Sequence, residues 1–190
     1  VGKAPEPNPE SLNRSVLDET GWAAERQRLI EEARRTAART GIAEIEAELS
    51  RRRREAEIAA NLRDFRDAGA AVRYFQADVL DPAAIGRVVD EVKALWGRVD
   101  VVIHGAGKDQ SKSLAKKTLE SMLEIYEIKV GGLRNLKAAL GRAGMTPSLW
   151  VLFSSVAGRF GNQGQTDYSS ANDLLCKIAS SFRRTRPGTR

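Results

Sequence analysis

A short apolar run that ends in two serines constrains the fold of this chain more than any other stretch. Residues 149–153 read LWVLF, which is typical of a buried strand in a parallel sheet, and Ser154 and Ser155 follow directly. Open α/β sheets place their ligands at the carboxyl ends of such strands. The sequence therefore predicts a parallel α/β sheet with a functional site that begins at Ser155.

Two other stretches are interpreted as strands, residues 71–77 and residues 99–103, and the second of these is expected to be buried. A helix is predicted between them over residues 82–96, because Asp81-Pro82 is a typical helix start and Gly97 a typical helix end. The run His104, Gly105, Ala106 and Gly107 follows the predicted strand at residues 99–103. The small residues in this run would let a ligand approach the backbone closely.

A tyrosine and an asparagine are expected on one face of the last helix. Tyr168 opens that predicted helix, and Asn172 lies four residues further on, so both side chains should converge with Ser155. A tyrosine can act as a general acid near neutral pH only if a neighbouring cation or a hydrogen bond lowers its pKa from about 10, and a lysine is the usual means. Lys177, nine residues past Tyr168, falls on the opposite helix face. Another lysine must therefore provide the charge.

These spacings resemble the short-chain dehydrogenase/reductase superfamily. Ser155 precedes Tyr168 by thirteen residues, and Tyr168 is followed by x-x-x-Asn172. Most of that superfamily carries Tyr-x-x-x-Lys with an asparagine on an earlier helix, whereas ketoreductase domains of polyketide and polyunsaturated fatty acid synthases exchange the two positions. Residues 128–136, IKVGGLRNL, are similar to the Lys-Val-x-Gly-x-x-Asn-Leu pattern of the earlier helix, so Lys129 matches the displaced lysine.

The helix that carries Lys129 is predicted to run from Thr118 to about residue 143. Gly131 and Gly132 lie inside it, and each costs up to about 1 kcal/mol relative to alanine in a helix interior. A packing or ligand-clearance reason for the two glycines is therefore expected.

The resemblance implies a fold and an activity. The fold would be α/β, a partial Rossmann-like, doubly wound parallel sheet with three recognisable strands. The activity would be NADPH-dependent reduction of a β-ketoacyl group on a carrier protein. Tyr168 would donate the proton, Ser155 would hydrogen-bond the same oxygen, Lys129 would support the phenol and hold the nicotinamide ribose, and Asn172 would position Lys129 or a proton-relay water.

The resemblance also implies a set of cofactor-binding residues. Asp78 and Val79 match positions that contact the adenine, and the turn after the second strand matches one beneath the cofactor's ribose. Lys3 matches a basic residue that faces the 2'-phosphate, with a solvated surface lysine as an equal alternative. The implied set is Lys3, Asp78, Val79, His104, Gly105, Ala106, Gly107, Lys129 and Tyr168.

One part of the family's pattern has no counterpart. No Thr-Gly-x-x-x-Gly-x-Gly loop precedes Asp78, although such a loop binds the cofactor's pyrophosphate. The strands that follow the tyrosine-bearing helix are also lacking. We therefore interpret the chain as the middle of a ketoreductase, incomplete at both ends, and expect the chain by itself to bind NADPH weakly and to be inactive.

The chain is predicted to have two parts. Residues 1–70 are interpreted as a strand end, a loop and a helical insertion, and residues 71–190 as the ketoreductase core. Four consecutive arginines, residues 51–54, lie among glutamates, which favours a salt-bridged helix face over a polyanion site. The helical insertion could alternatively dock a partner.

Composition limits the partners. Basic side chains outnumber acidic ones by 18 to 11 in residues 71–190, which suits the phosphates of NADPH or a phosphopantetheine arm on an acidic carrier protein. No nucleic-acid motif is recognisable, and no apolar run approaches the roughly 20 residues that a membrane span needs. Neither nucleic acid nor a membrane is therefore expected as a partner, and a cytoplasmic location is predicted.

The chain has one cysteine, Cys176, and one histidine, His104, which supports neither an internal disulfide nor a zinc site. Both are interpreted as structural, and no metal is predicted.

Two alternatives to the synthase ketoreductase remain. One is a non-catalytic structural subdomain of a synthase, against which the intact set of Lys129, Ser155, Tyr168 and Asn172 argues. The other is a free-standing short-chain reductase of small ketones. The ketoreductase interpretation predicts a substrate tethered to an acyl carrier protein and other synthase domains in cis, so dependence on a carrier protein would separate it from the second alternative.

Overall fold

The computed structural model describes residues 4, 5, 7, 18–35 and 41–185. The chain divides into two compact units, residues 1–76 and 77–190. Lys3 lies outside the described residues, so its role at a 2'-phosphate stays a prediction, as does the functional partition into residues 1–70 and 71–190.

The described residues of the first unit form two helices, α1 (Glu19–Arg35) and α2 (Ile42–Asp67). Arginines of α2 form ion pairs with glutamates of the same helix. Arg51 donates to Glu48 at 2.7 Å and also to Glu55. The salt-bridged face predicted for residues 51–54 is therefore present. A small apolar cluster holds the two helices together, consisting of Trp22, Leu29, Ile45 and Leu49.

The second unit contains a two-stranded parallel sheet, β1 (Val101–His104) and β2 (Leu149–Leu152). In the register of this pair, Val101 lies opposite Leu149 and His104 lies opposite Leu152. Because the strands are parallel and end in register, the residues that follow them emerge at the same edge of the sheet. This edge corresponds to the position predicted for the site.

Along the chain, helices precede, separate and follow the two strands. Helix α3 has the predicted bounds, because the Asp81 side chain accepts hydrogen bonds from the N–H groups of Ala83 and Ala84 and Gly97 ends the helix in a left-handed conformation. Among the helices that the structure describes, none combines the length and the apolar character that crossing a bilayer requires. The elements are α3 (Pro82–Trp96), a 3-10 turn (Leu114–Lys116), α4 (Leu119–Tyr126), a π-helical turn (Glu127–Gly131), α5 (Gly132–Arg142), α6 (Ala157–Phe160) and α7 (Thr166–Thr185).

The core of the second unit lies on one face of the sheet. Val102 packs there with residues of α3 and α5, in a cluster of Ala77, Ile85, Val89, Val102, Ala139, Leu140, Ala143 and Met145. Val101 and Ile103 are 47% and 64% exposed. The strand predicted at residues 99–103 is present, but the prediction that it is buried is wrong. Alternate side chains of a strand face opposite sides of a sheet, and the described residues pack against only one side here.

Residues 71–77, predicted as a third strand, do not form a regular strand. The segment is extended, with a single bridge residue at Gln76. Sequence pattern gives a tendency to extend, but a strand needs a ladder of backbone hydrogen bonds to a neighbour, and the described residues provide only one bridge for this segment. The α/β class with a parallel sheet is confirmed.

Candidate active site

The two loops that follow the strands meet at the carboxyl edge of the sheet. The Phe153 N–H donates to the His104 carbonyl at 3.0 Å and so extends the pairing beyond β2. Gly105 follows one strand, and Ser154 and Ser155 follow the other. The small residues and the serines thus emerge at the same edge of the sheet.

Lys129 points into this edge and is 4% exposed. Its Nζ donates to the Phe153 carbonyl at 3.1 Å and lies 5.5 Å from the centroid of the Tyr168 ring. Among the residues that the structure describes, this carbonyl is the only hydrogen-bond acceptor for an ammonium group with three N–H donors. Burial lowers the pKa of Lys129. A buried cation with unused donors therefore lies beside the tyrosine.

The predicted continuous helix over residues 118–143 is interrupted at Lys129. Thr118 caps α4, but the Gly132 N–H reaches back five residues to the Glu127 carbonyl, and residues 127–131 form a π-helical turn. Such turns occur frequently at functional sites. Sequence reasoning identified the lysine and two glycines that weaken the helix but not this change of hydrogen bonding.

The π-helical turn is held by His104 and Gly132. His104 Nε2 lies 2.8 Å from the Lys129 carbonyl, and because a carbonyl only accepts, Nε2 carries the proton. A Cβ on Gly132 would lie 3.0 Å from the Val79 side chain, so glycine permits this close approach. Burial lowers the pKa of His104 and favours its neutral form. His104 therefore supports the π-helical turn, and its predicted contact with a cofactor stays a prediction.

Tyr168 and Asn172 are both on α7, one turn apart. Tyr168 is half-buried, and the fully buried Asn172 donates from Nδ2 to the Tyr168 carbonyl at 2.7 Å. Asn172 Oδ1 is buried and accepts no hydrogen bond from the described residues. The structure thus leaves one buried acceptor unused close to Tyr168, and the predicted contact of Asn172 with Lys129 or a water stays a prediction.

The two serines link β2 to the following helices. Ser154 Oγ donates to the Asn172 carbonyl at 3.0 Å. Ser155 Oγ accepts from the Ala157 N–H at 3.2 Å, at the start of α6. The accepted bond fixes Ser155 while leaving its own O–H available as a donor.

The predicted cofactor residues are brought together in part. Asn135 Nδ2 donates to the Val79 carbonyl at 2.9 Å, which ties the segment after residue 77 to α5. A Cβ on Gly107 would lie 3.1 Å from Lys129 Nζ, so the turn after β1 closely approaches the lysine. Asp78 Oδ1 accepts from the Leu80 N–H at 3.0 Å, the turn role that its sequence position also allows.

A buried ion pair next to Tyr168 was not predicted. Lys117 Nζ lies 2.6 Å from Asp167 Oδ1, and both side chains are 2% exposed. The partners are fifty residues apart, and neither residue differs in sequence from an ordinary surface charge. Lys177, by contrast, pairs with Asp173 on the exposed face of α7, as its spacing predicts. Cys176, also on α7, is exposed.

Sequence comparisons match most of the chain. The family model described as KR domain matches residues 29–189. A polyunsaturated fatty acid synthase from Thraustochytrium is 36% identical over 123 residues, which are 64% of this chain and 4% of that protein. Polyketide synthase ThaG from Burkholderia thailandensis is 38% identical over 114 residues, 60% of this chain and 2% of that protein. The chain thus spans a small part of these relatives.

Solved structures match about two thirds of the chain. A ketoreductase domain from the bacillaene assembly line is 32% identical with a TM-score of 0.57, over 66% of this chain and 31% of that one. A short-chain dehydrogenase from Streptomyces avermitilis is 24% identical with a TM-score of 0.58, over 67% of this chain and 47% of that one. This match supports the fold alone. With a family model that matches residues 29–189 and a partial short-chain dehydrogenase fold, this chain belongs to the KR domain family.

Proposed function

We propose that this chain provides the catalytic residues of an NADPH-dependent ketoreductase in a polyketide or polyunsaturated fatty acid synthase. The reaction would reduce a β-ketoacyl group on a carrier protein to a β-hydroxyacyl group. The observation that carries the proposal is the buried Lys129 Nζ, 5.5 Å from the Tyr168 ring at the carboxyl edge of the sheet. Family membership adds independent support.

Tyr168 would act as the proton donor. As the substrate's carbonyl oxygen gains negative charge, the phenol would transfer its proton to that oxygen. The Lys129 ammonium beside the ring favours the phenolate that this transfer leaves behind. Because Lys129 is nearly excluded from solvent, its charge acts on the phenol through a medium that screens it less than water does.

Ser155 would orient the same substrate oxygen. Its Oγ accepts from the Ala157 N–H, so its hydroxyl hydrogen can point towards the substrate. A fixed hydrogen-bond donor aimed at developing charge stabilises the transition state without reorganisation. Asn172 would hold a proton-relay water or Lys129 through its unused Oδ1.

The residues around Lys129 fit a nicotinamide cofactor. Gly107 leaves room where a Cβ would contact Lys129. The described residues provide one acceptor for the ammonium, so ribose hydroxyls can fill its other two donors. When bound, NADPH would supply the hydride. Val79, Asp78 and the turn from His104 to Gly107 would hold its adenosine and ribose, while Lys129 and Tyr168 would hold the nicotinamide ribose.

The proposal is tested in the full-length protein that contains this chain. NADPH oxidation is followed with a β-ketoacyl thioester presented on an acyl carrier protein. We expect Tyr168→Phe to lower kcat by about 10²- to 10⁴-fold. Tyr126→Phe is the matched control, a half-buried tyrosine at the end of α4, and should retain wild-type kcat. Wild-type protein that folds and binds NADPH but reduces no β-ketoacyl thioester would overturn the proposal.

A further inference from the structure

The buried ion pair between Lys117 and Asp167 joins two segments that both approach the candidate active site. Lys117 follows the loop that leaves β1, and Asp167 lies in the first turn of α7. Lys117 Nζ lies 2.6 and 2.7 Å from the two carboxylate oxygens, and each side chain is 2% exposed. Charges this deeply buried lose their hydration, and that cost opposes the attraction between them. The burial of this pair is therefore weak evidence that the pair stabilises the fold.

Every donor of the Lys117 ammonium is used. Two bonds go to Asp167, and the third goes to the Gln110 carbonyl at 3.0 Å. Asp167 Oδ1 also accepts from the Tyr168 N–H at 2.9 Å. The ion pair is therefore connected directly to the backbone of the proposed proton donor.

Further contacts join the same two segments. Gln165, which is buried, donates from Nε2 to Asp109 Oδ2 at 2.6 Å and lies 3.0 Å from Ser111 Oγ. The Lys112 N–H donates to the Gly164 carbonyl at 3.1 Å. The start of α7 is thus attached to the loop after β1 by side-chain and backbone bonds, with the ion pair at the end next to Tyr168.

We propose that the Lys117–Asp167 ion pair is a positioning device that holds the first turn of α7 so that the Tyr168 ring stays beside Lys129. This inference rests on the proposed function, because it assigns a role in the same proton transfer. Lys117 and Asp167 act through Tyr168 and do not touch the substrate. Misplacement of a catalytic group by about 1 Å can cost about 100-fold in rate, so a small shift of this turn would be felt in kcat.

The test compares four variants in the full-length protein. Lys117→Met leaves the Asp167 carboxylate buried and unpaired, and Lys117→Met/Asp167→Leu removes both charges. Lys117→Arg keeps a cation that can bond both carboxylate oxygens. Lys177→Met is the matched control, because it breaks an exposed ion pair on the same helix, with Lys177 70% exposed.

We expect the double variant to unfold at a temperature near that of the wild type, since no charge is left unpaired, yet to have a kcat about 10- to 100-fold lower with KM for NADPH within about twofold. Lys117→Arg should recover most of kcat, and Lys177→Met should match the wild type. A double variant with wild-type kcat, or losses of kcat that simply follow the loss of thermal stability, would overturn the proposal.

A crystal structure of the double variant provides a readout that needs no activity. We expect the Tyr168 ring to lie further from Lys129 Nζ than the present 5.5 Å. An unchanged distance would overturn the positioning role even if the protein catalysed a different reaction. Wild-type protein without ketoreduction, together with a displaced ring in the variant, would instead count against the proposed function alone.

Discussion

Charged side chains are used in opposite ways in the two units of this chain. In the first unit, the half-exposed Arg51 forms ion pairs with both Glu48 and Glu55. The hydrogen bond from Arg51 is the largest cause that lowers the pKa of Glu48 to about 2. In the second unit, Lys129 is buried with no carboxylate partner among the described residues, and Lys117 is buried with one. Exposed pairs contribute about 0–1 kcal/mol, whereas buried charges are costly. Stability alone therefore does not explain why the two lysines are buried, and the catalytic and positioning roles proposed above would explain it.

The largest expected effect is that of Lys129→Met. We expect kcat to fall by about 10²- to 10⁴-fold, because the phenol loses its neighbouring cation. The free energy of unfolding at pH 7 should nevertheless not fall, since burial disfavours the ammonium and lowers the pKa of Lys129. Denaturant titrations and steady-state kinetics on the full-length protein measure the two effects.

The pH dependence sharpens this prediction. The unfolded chain keeps the Lys129 proton up to about pH 10.4, whereas the folded chain releases it at lower pH. Wild-type stability should therefore rise relative to Lys129→Met as pH increases through this window. A variant that is less stable than the wild type at pH 7, or that retains kcat, contradicts the account.

The next largest effect is expected from Gly158→Ala. A Cβ there would lie 2.8 Å from the Asp173 nitrogen and 2.9 Å from Asn172, so α6 and α7 must separate. Overpacking of this kind costs about 1–3 kcal/mol, and kcat should fall as Asn172 moves. The control is Gly141→Ala on α5, where a Cβ meets open space and a gain of roughly 0.5–1 kcal/mol is expected. Equal effects of the two substitutions in thermal unfolding would contradict the close packing of α6 on α7.

A smaller effect should come from His104. Burial lowers the pKa of His104, so below about pH 6.5 the unfolded chain binds a proton that the folded chain resists. Stability should therefore fall as pH decreases, with a slope of at most about 1.4 kcal/mol per pH unit. His104→Gln keeps an N–H for the Lys129 carbonyl without titrating, and should reduce this slope. Superimposable pH profiles for the two proteins would be inconsistent with a buried neutral histidine.

The smallest effect should come from the first unit. Arg51→Gln removes bonds to Glu48 and Glu55, but the Arg51 side chain is 50% exposed and Glu48 keeps its bond from Arg52. We expect a change in the free energy of unfolding within about 0.5 kcal/mol and no change in kcat. A loss as large as that of Gly158→Ala would remove the contrast between the two units.

Local signals in the sequence predicted the parts of the fold that local chemistry determines. Asp81, Pro82 and Gly97 define α3 because capping bonds and backbone preferences act over a few residues. The carboxyl ends of the two strands were predicted from the apolar runs, and the serines and small residues directly after those runs indicated where the site lies. Lys129 required the resemblance to a family, because a lysine in the middle of a helix looks like a surface charge.

The remaining features depend on contacts between distant residues. The π-helical turn at Lys129 is coupled to His104 twenty-five residues earlier, and the Lys117–Asp167 pair spans fifty residues. Residues 71–77 have a strand-like sequence but only one bridge. Sequence pattern reports the tendency of a segment, and the partner that realises that tendency is set by the tertiary fold.

A crystal structure of the full-length protein's ketoreductase region with bound NADP⁺ tests the central claim most directly. The quantity to measure is the distance from Lys129 Nζ to the Tyr168 hydroxyl and to the nicotinamide ribose. We predict that the ammonium lies within hydrogen-bond reach of at least one of these groups, about 2.7–3.2 Å. A Lys129 side chain turned away from both groups in the presence of the cofactor would contradict the proposed chemistry.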